Sequence, residues 1–208
     1  MPDIKHFDPD AALETTLRLF WKQGPEATGI QDVVSATGLS RSSLYATFGG
    51  KHDLYLAALQ RYVEQRSEPT FQRLAKDERG LPAIADFFSE LVTARCTGQF
   101  ARWGCMVANA HAATQSLTAQ NTAGQDADTR VRAVLDRHHE QLCQALTQAL
   151  TTARSLGQLA PGTTPRSAAE VLALLAYGVN LRSRNGADAH TLNQTMKTAL
   201  DALMPPRR

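Results

Sequence analysis

Residues 28 to 51 read TGIQDVVSATGLSRSSLYATFGGK, and their spacing predicts two short helices joined by a tight turn, with a third helix beginning at once. In the first, Ile30, Val33 and Val34 take the i, i+3, i+4 positions of one buried face, and Thr28 stands ahead of them as a cap for the free amides. Gly38 breaks that helix, Leu39 plugs the turn, and Ser40 caps a second helix that buries Leu44 and ends near Phe48. Arg41, Ser42, Ser43, Tyr45 and Thr47 are left facing outward. Gly49 and Gly50 start a long helix whose free amides and positive dipole end suit a phosphate, with Lys51 adding a full charge in its first turn.

This is the layout of a helix-turn-helix that reads DNA. On a helix lying in the major groove the N-terminal outward side chains reach base edges, so Arg41, Ser42 and Ser43 are expected to read sequence. Tyr45 and Thr47 are placed for phosphate oxygens, which fix register without specifying sequence. The stretch resembles the DNA-binding domain of the TetR/AcrR family of transcriptional regulators. That family's threonine before helix 2, its alanine-x-glycine turn, and its leucine-tyrosine, phenylalanine and lysine are met at Thr28, Ala36, Gly38, Leu44, Tyr45, Phe48 and Lys51. One departure is Gly50, where the family more often has serine, asparagine or aspartate; glycine at a cap costs only a few tenths of a kcal/mol. The expected DNA-binding set is Thr28, Arg41, Ser42, Ser43, Tyr45, Thr47 and Lys51.

At 208 residues the chain can bury a substantial core. The expected class is all-α: a three-helix head, residues 1–50, joined by a long helix, 51–73, to a helical ligand-sensing and dimerisation domain within 51–208. No apolar run approaches the ~18 residues of a membrane span and no signal-peptide pattern opens the chain, so a cytoplasmic protein without a membrane partner is expected. Cys96, Cys105 and Cys143 are three cysteines at irregular spacing, which argues against a disulfide framework. Residues 1 to 55 carry five Lys/Arg against seven Asp/Glu, so the head is not basic overall. Between Gly38 and His52, however, Arg41 and Lys51 are the two cations and no acid intervenes, which makes a local phosphate-binding face.

Asp8 and Pro9 cap a first helix that carries Leu13, Leu17 and Phe20 to a stop at Gly24 and Pro25. The linking helix presents Leu54, Ala58 and Tyr62 on one face, and Pro69 is expected to bend or end it. Pro82 opens a helix reaching Phe100, Gly104 interrupts, and a short segment follows to Ala113. Thr114 to Asp128 lack helical periodicity and read as a loop. A long helix is expected from Asp128 to Ser155, and two more from Pro165 to Arg182 and Asp188 to Leu203.

These last two helices carry Val171, Leu172, Leu174, Leu175 and Val179, then Leu192, Met196, Leu200 and Leu203. They either close the monomer's own core or pack two copies into a four-helix bundle. The family resemblance favours a homodimer through residues 165–204, and two-fold symmetry then implies a pseudo-palindromic double-stranded operator.

The same resemblance implies that the second half binds a small effector whose identity the sequence does not give, and that binding moves the linking helix. Polar and aromatic residues on otherwise apolar helices are the expected pocket: Phe88, Trp103, Asn109, His111, His138, Cys143, Tyr177 and Asn180. The segment RWGCMVANAHA, Arg102 to Ala112, is similar to one in a subset of the family that includes thiol-based sensors. Cys105 beside Arg102, or at a helix N-terminus after Gly104, would be an activated thiol; a buried free cysteine is otherwise a small hydrophobe. No CxxC, HExxH or i, i+4 ligand pair is read, so neither metal nor cofactor is expected. With no phosphate loop, dinucleotide fingerprint, serine elbow or paired acids, an enzyme is not expected, and a protein-binding adaptor remains the alternative for the acidic head.

Overall fold

In a computed structural model, residues 7–117 and 125–206 are described, with side chains between 113 and 128 left aside. The described residues form ten α-helices and no strand: α1 (Pro9–Gln23), α2 (Ile30–Thr37), α3 (Arg41–Phe48), α4 (Lys51–Tyr62), α5 (Glu68–Lys76), α6 (Leu81–Cys96), α7 (Met106–Leu117), α8 (Gln125–Ser155), α9 (Pro165–Arg184) and α10 (Ala189–Asp201). None is long and apolar enough to cross a membrane.

The head forms as its sequence dictates. Asp8 accepts the Asp10 N–H at 2.9 Å with Pro9 at the first turn, and Gly24 ends α1. Gly38 adopts φ 70°, a left-handed conformation that glycine takes without steric cost, and its N–H closes α2 on the Val34 carbonyl. Ser40 caps α3 by accepting the Ser43 N–H at 3.1 Å.

Thr28 differs from its expected role. It is fully buried, and its hydroxyl turns back to donate to the Gly24 carbonyl at 2.8 Å. Gly29 is the N-cap of α2, and the Asp32 carboxylate accepts the Gly29 N–H at 2.7 Å. The start of α4 repeats the device: Gly50 is the cap residue, and Asp53 accepts its N–H at 3.0 Å. At both helix starts the carboxylate three residues on makes the half of a capping box that needs no side chain at the cap residue, by accepting that residue's own N–H.

Pro69 does not end the linking helix. The chain runs from α4 into α5 through a π-helical turn, Val63–Ser67, where the Glu68 N–H bonds to the Val63 carbonyl five residues back. Proline has no N–H to offer the carbonyl of Gln65 and its ring crowds that oxygen; a widened turn immediately ahead accommodates both. Two other expectations shift. α6 stops at Cys96, before a turn in which Gly98 and Arg102 both have positive φ. The polar stretch from Thr114 is helical at its ends, since α7 reaches Leu117 and α8 begins at Gln125; its middle lies outside the described residues.

Two apolar cores result. One joins Leu17, Phe20 and Trp21 of α1, Val33, Leu44, and Leu54, Leu59 and Tyr62 of α4 to Met106 and Val107 of α7 and Val131 and Leu135 of α8. The other packs α5 and α6 against α8, α9 and α10. Leu172, Val179, Leu192, Met196 and Leu200, considered above for either role, turn into this second core. Val171, Leu174 and Leu181 stay on the surface of α9, Leu174 at 67% exposure.

Candidate DNA-reading helix and sensor cavity

α3 is held to the head by one fully buried side chain, Leu44. Its other face lies open: Arg41, Ser42 and Thr47 are exposed, while Ser43, Tyr45 and Lys51 are half-buried. The guanidinium of Arg41 sits over the Tyr45 ring at 5.1 Å, and the Ser40 hydroxyl lies 2.9 Å from that of Ser42 and 2.8 Å from that of Ser43. Six of the seven residues expected to meet DNA therefore reach solvent, five on α3 and Lys51 at the N-terminus of α4, whereas Thr28 is buried. Asp53, at that same N-terminus, also receives Arg130 of α8 at 2.7 Å; this pairing and the Gly50 N–H hold its carboxyl below the usual carboxylate range.

Behind the head is a cavity of about 390 Å³, lined by Trp21, the π turn and residues of α5, α6, α8 and α9. It brings together three of the expected pocket residues, His138, Tyr177 and Asn180, and the candidate sensing thiol of Cys105. The others lie elsewhere. Phe88 is buried in the second core against Phe87. Trp103 packs edge-on to Trp21 and Phe100. Asn109 donates to the Trp103 carbonyl, and both it and His111 line a separate open groove over α7 and α9, with Tyr177 between groove and cavity. Cys143 faces His139 and Glu170.

The cavity's polar groups are largely spoken for. Arg95 donates to Asn180 Oδ1 at 2.6 Å and to the Tyr62 hydroxyl at 3.2 Å. Burial opposes its charge, but Tyr62 and Cys105 beside it hold the guanidinium firmly protonated. Burial also raises the Tyr62 phenol above its ordinary range. His138 Nε2 lies 3.2 Å from Ser67 Oγ in the π turn, and its Nδ1 is buried without a hydrogen-bond partner. Burial, then the nearby His111, His139 and Arg95, pushes its pKa down to about 4, so the ring is neutral near pH 7. Arg66 Nε is likewise buried and unpartnered, its guanidinium stacked over Trp21 and Phe100 at 5.0 and 4.9 Å.

Cys105 immediately precedes α7, its carbonyl accepting the Asn109 N–H, and is 5% exposed. The cation beside it is Arg95, whereas Arg102 lies exposed next to Cys96. The preceding Gly104, at φ 69°, leaves room that a Cβ would lose to Asn109 and the Asn180 carbonyl, and its own carbonyl accepts the indole N–H of Trp21 at 3.0 Å.

Trp21, Arg66 and Arg95 also line the cavity, though none was among the expected residues. Arg95 had a signal, since it shares the apolar α6 face of Phe88 and Val92 at i, i+4, i+7. Trp21 and Arg66 had none, because only the folded chain carries them to the cavity.

Residues 12–58 match the model of a family described as bacterial regulatory proteins, tetR family. Over 198 residues the chain is 32% identical to the HTH-type transcriptional repressor ComR of Escherichia coli (strain K12), covering 94% of this chain and 89% of that protein. It is 30% identical over 155 residues to the uncharacterized HTH-type transcriptional regulator YezE of Bacillus subtilis (strain 168), 74% of each chain. Among solved structures, a cysteine mutant of the TetR family transcriptional regulator CifR, complexed with 26-bp double-strand operator DNA, superposes with a TM-score of 0.79 at 24% identity, covering 96% of this chain and 98% of that one. The reduced form of E. coli NemR gives a TM-score of 0.77 at 19% identity over the same shares. The structures share the fold, and the sequence relatives add the lineage: this chain belongs to the TetR family of DNA-binding transcriptional regulators.

Proposed function

We propose that the chain is a homodimeric repressor whose residues 1–50 read a pseudo-palindromic operator and whose remaining helices, 51–208, release it when a small molecule enters the cavity behind the head. Arg41, Ser42 and Ser43 meet base edges; Tyr45, Thr47 and Lys51 meet phosphates. The observation that carries the reading is the shared wall: Trp21 belongs both to the core of the head and to the lining of the cavity. A ligand that displaces Trp21, or that satisfies His138 Nδ1 and Arg66 Nε beside the π turn, favours one placement of α4 over another. It need differ in affinity between the two states by only a few kcal/mol. The cavity suits a compact, largely apolar molecule with one or two hydrogen-bonding groups.

Binding of wild type and variants to an operator selected from random DNA tests the reading face. Tyr45→Ala and Lys51→Ala should weaken binding to all sequences, and Lys51→Ala should lower the slope of log affinity against log salt by about 1. Arg41→Ala should also relax base preference; unchanged preference would remove Arg41 from base reading.

A second mode of release rests on Cys105, whose thiol lies in the cavity wall beside Arg95 and Tyr62. Alkylation or oxidation there adds bulk or polarity to a packed site. On this reading a quinone or aldehyde releases wild type from the operator and leaves Cys105→Ser bound. Equal release of both proteins refutes it.

A further inference from the structure

Contrary to the expectation of no ligand pair at i, i+4, His139 and Cys143 form such a pair on α8, and α9 brings Glu170 across to them. His139 Nε2 lies 3.6 Å from Cys143 Sγ, Cys143 Sγ lies 3.7 Å from Glu170 Oε2, and Glu170 Oε2 lies 3.7 Å from His139 Nε2. The three atoms make a nearly equilateral triangle. Ligands at about 2.0–2.3 Å from a tetrahedral zinc ion stand about 3.4–3.6 Å from one another, so this triangle needs to contract only slightly to hold one. We propose that His139, Cys143 and Glu170 form a site for a divalent cation of zinc-like preference, with one position open to water.

The donor set selects the ion. Imidazole, thiolate and a single carboxylate suit zinc and disfavour magnesium or calcium, which take oxygen ligands. The surroundings favour the arrangement. Tyr177 Oη lies 3.5 Å from His139 Nδ1 and its ring stacks on the imidazole, so a proton kept on Nδ1 leaves Nε2 free for the metal. Two of the three ligands are half-buried and Glu170 is exposed, giving an entry path. Binding displaces the proton of the Cys143 thiol to solvent as the sulfur–metal bond forms. Because the ligands come from α8 and α9, the ion joins the long helix to the one that carries the exposed Val171–Leu174 surface. None of the three ligands lines the cavity that holds Cys105, although Tyr177 borders both, and metal binding is tested without reference to either mode of release.

The test uses the full-length protein without DNA, titrated with Co²⁺ as a spectroscopic probe and then with Zn²⁺ in competition against a chromophoric chelator. One equivalent of Co²⁺ per chain should give a thiolate-to-cobalt charge-transfer band that Zn²⁺ abolishes. Cys143→Ser should lose the band, Cys96→Ser and Cys105→Ser should keep it, and Glu170→Gln should weaken Zn²⁺ binding. Tyr177→Phe should cost about 10–100-fold in affinity through loss of the ligand's orientation. Absence of the band in wild type, or its persistence in Cys143→Ser, overturns the proposal.

Discussion

His138 holds an uncomfortable position for an ionisable ring: 4% exposed, edge-on to Phe71 at 5.1 Å, with a single weakly placed partner in Ser67. Its folded pKa of about 4 lies below the unfolded value, so the unfolded chain takes up a proton first as pH falls. Stability therefore declines from about pH 6.5 down to about pH 4 and levels off below, with a loss on the order of 3 kcal/mol from this residue. Urea unfolding of wild type across pH 7 to 4 should show that decline, and His138→Gln should flatten it. Equal pH slopes would mean that the ring is more accessible to protonation than its burial indicates. This residue also marks a limit of sequence reading. That His138 belonged to a pocket could be read from its place on an apolar stretch; the i, i+4 pair of its neighbour His139 with Cys143 also stands in the sequence, against the expectation of none, and only the fold brings Glu170 of α9 to it. Thr28 erred the other way: hydroxyl residues before a helix usually cap it, but here the cap residue is Gly29 and the Thr28 hydroxyl donates back to the Gly24 carbonyl instead.

At the scale of elements, α2, α3 and the start of α4 were legible because each is determined within a few residues: a glycine in left-handed conformation, a capping serine, one buried leucine. The π turn was not, since a proline inside a helical pattern gives the same signal whether the helix ends or widens. The glycine cap of α4 shows how a departure from family pattern is offset locally. Asp53 accepts the Gly50 N–H through one oxygen and Arg130 through the other. Asp53→Ala removes both and should cost about 1 kcal/mol in urea unfolding, whereas Asp53→Asn keeps an acceptor for the cap and should lose less than half of that. Equal losses would assign the whole effect to the pairing with Arg130.

For the whole molecule, periodicity left the destination of the last two helices open, and packing has divided their residues. Leu172 and Val179 close the core while Val171, Leu174 and Leu181 remain outside, on positions three, seven or ten apart along α9. Such a stripe is the surface a second copy would cover, and two recognition helices would then act together. Leu174→Glu should leave the monomer's fold intact, give a monomer by sedimentation velocity, and weaken operator binding roughly 10³-fold, toward the non-specific level. A dimer that persists in this variant would move the interface off α9. The cavity was only half legible because its walls come from five separate helices and the turn between two of them, and no local pattern announces that Trp21, sixty residues or more from most of its neighbours there, will be one of them.

The π turn has a consequence in the language of insertions and deletions. It holds one residue more than an α-helix needs, and each residue turns a helix by about 100°. Because the Glu68 N–H reaches five residues back, the extra residue is already absorbed, and removing one residue between Val63 and Ser67 would restore a regular helix with its two ends in phase. The head would keep its orientation relative to the cavity, and only the widened turn that accommodates Pro69 would be lost. Removing a second residue, with no widened turn left to absorb it, would swing the head by about 100°. The segment can give up one residue without misdirecting the head, but not two.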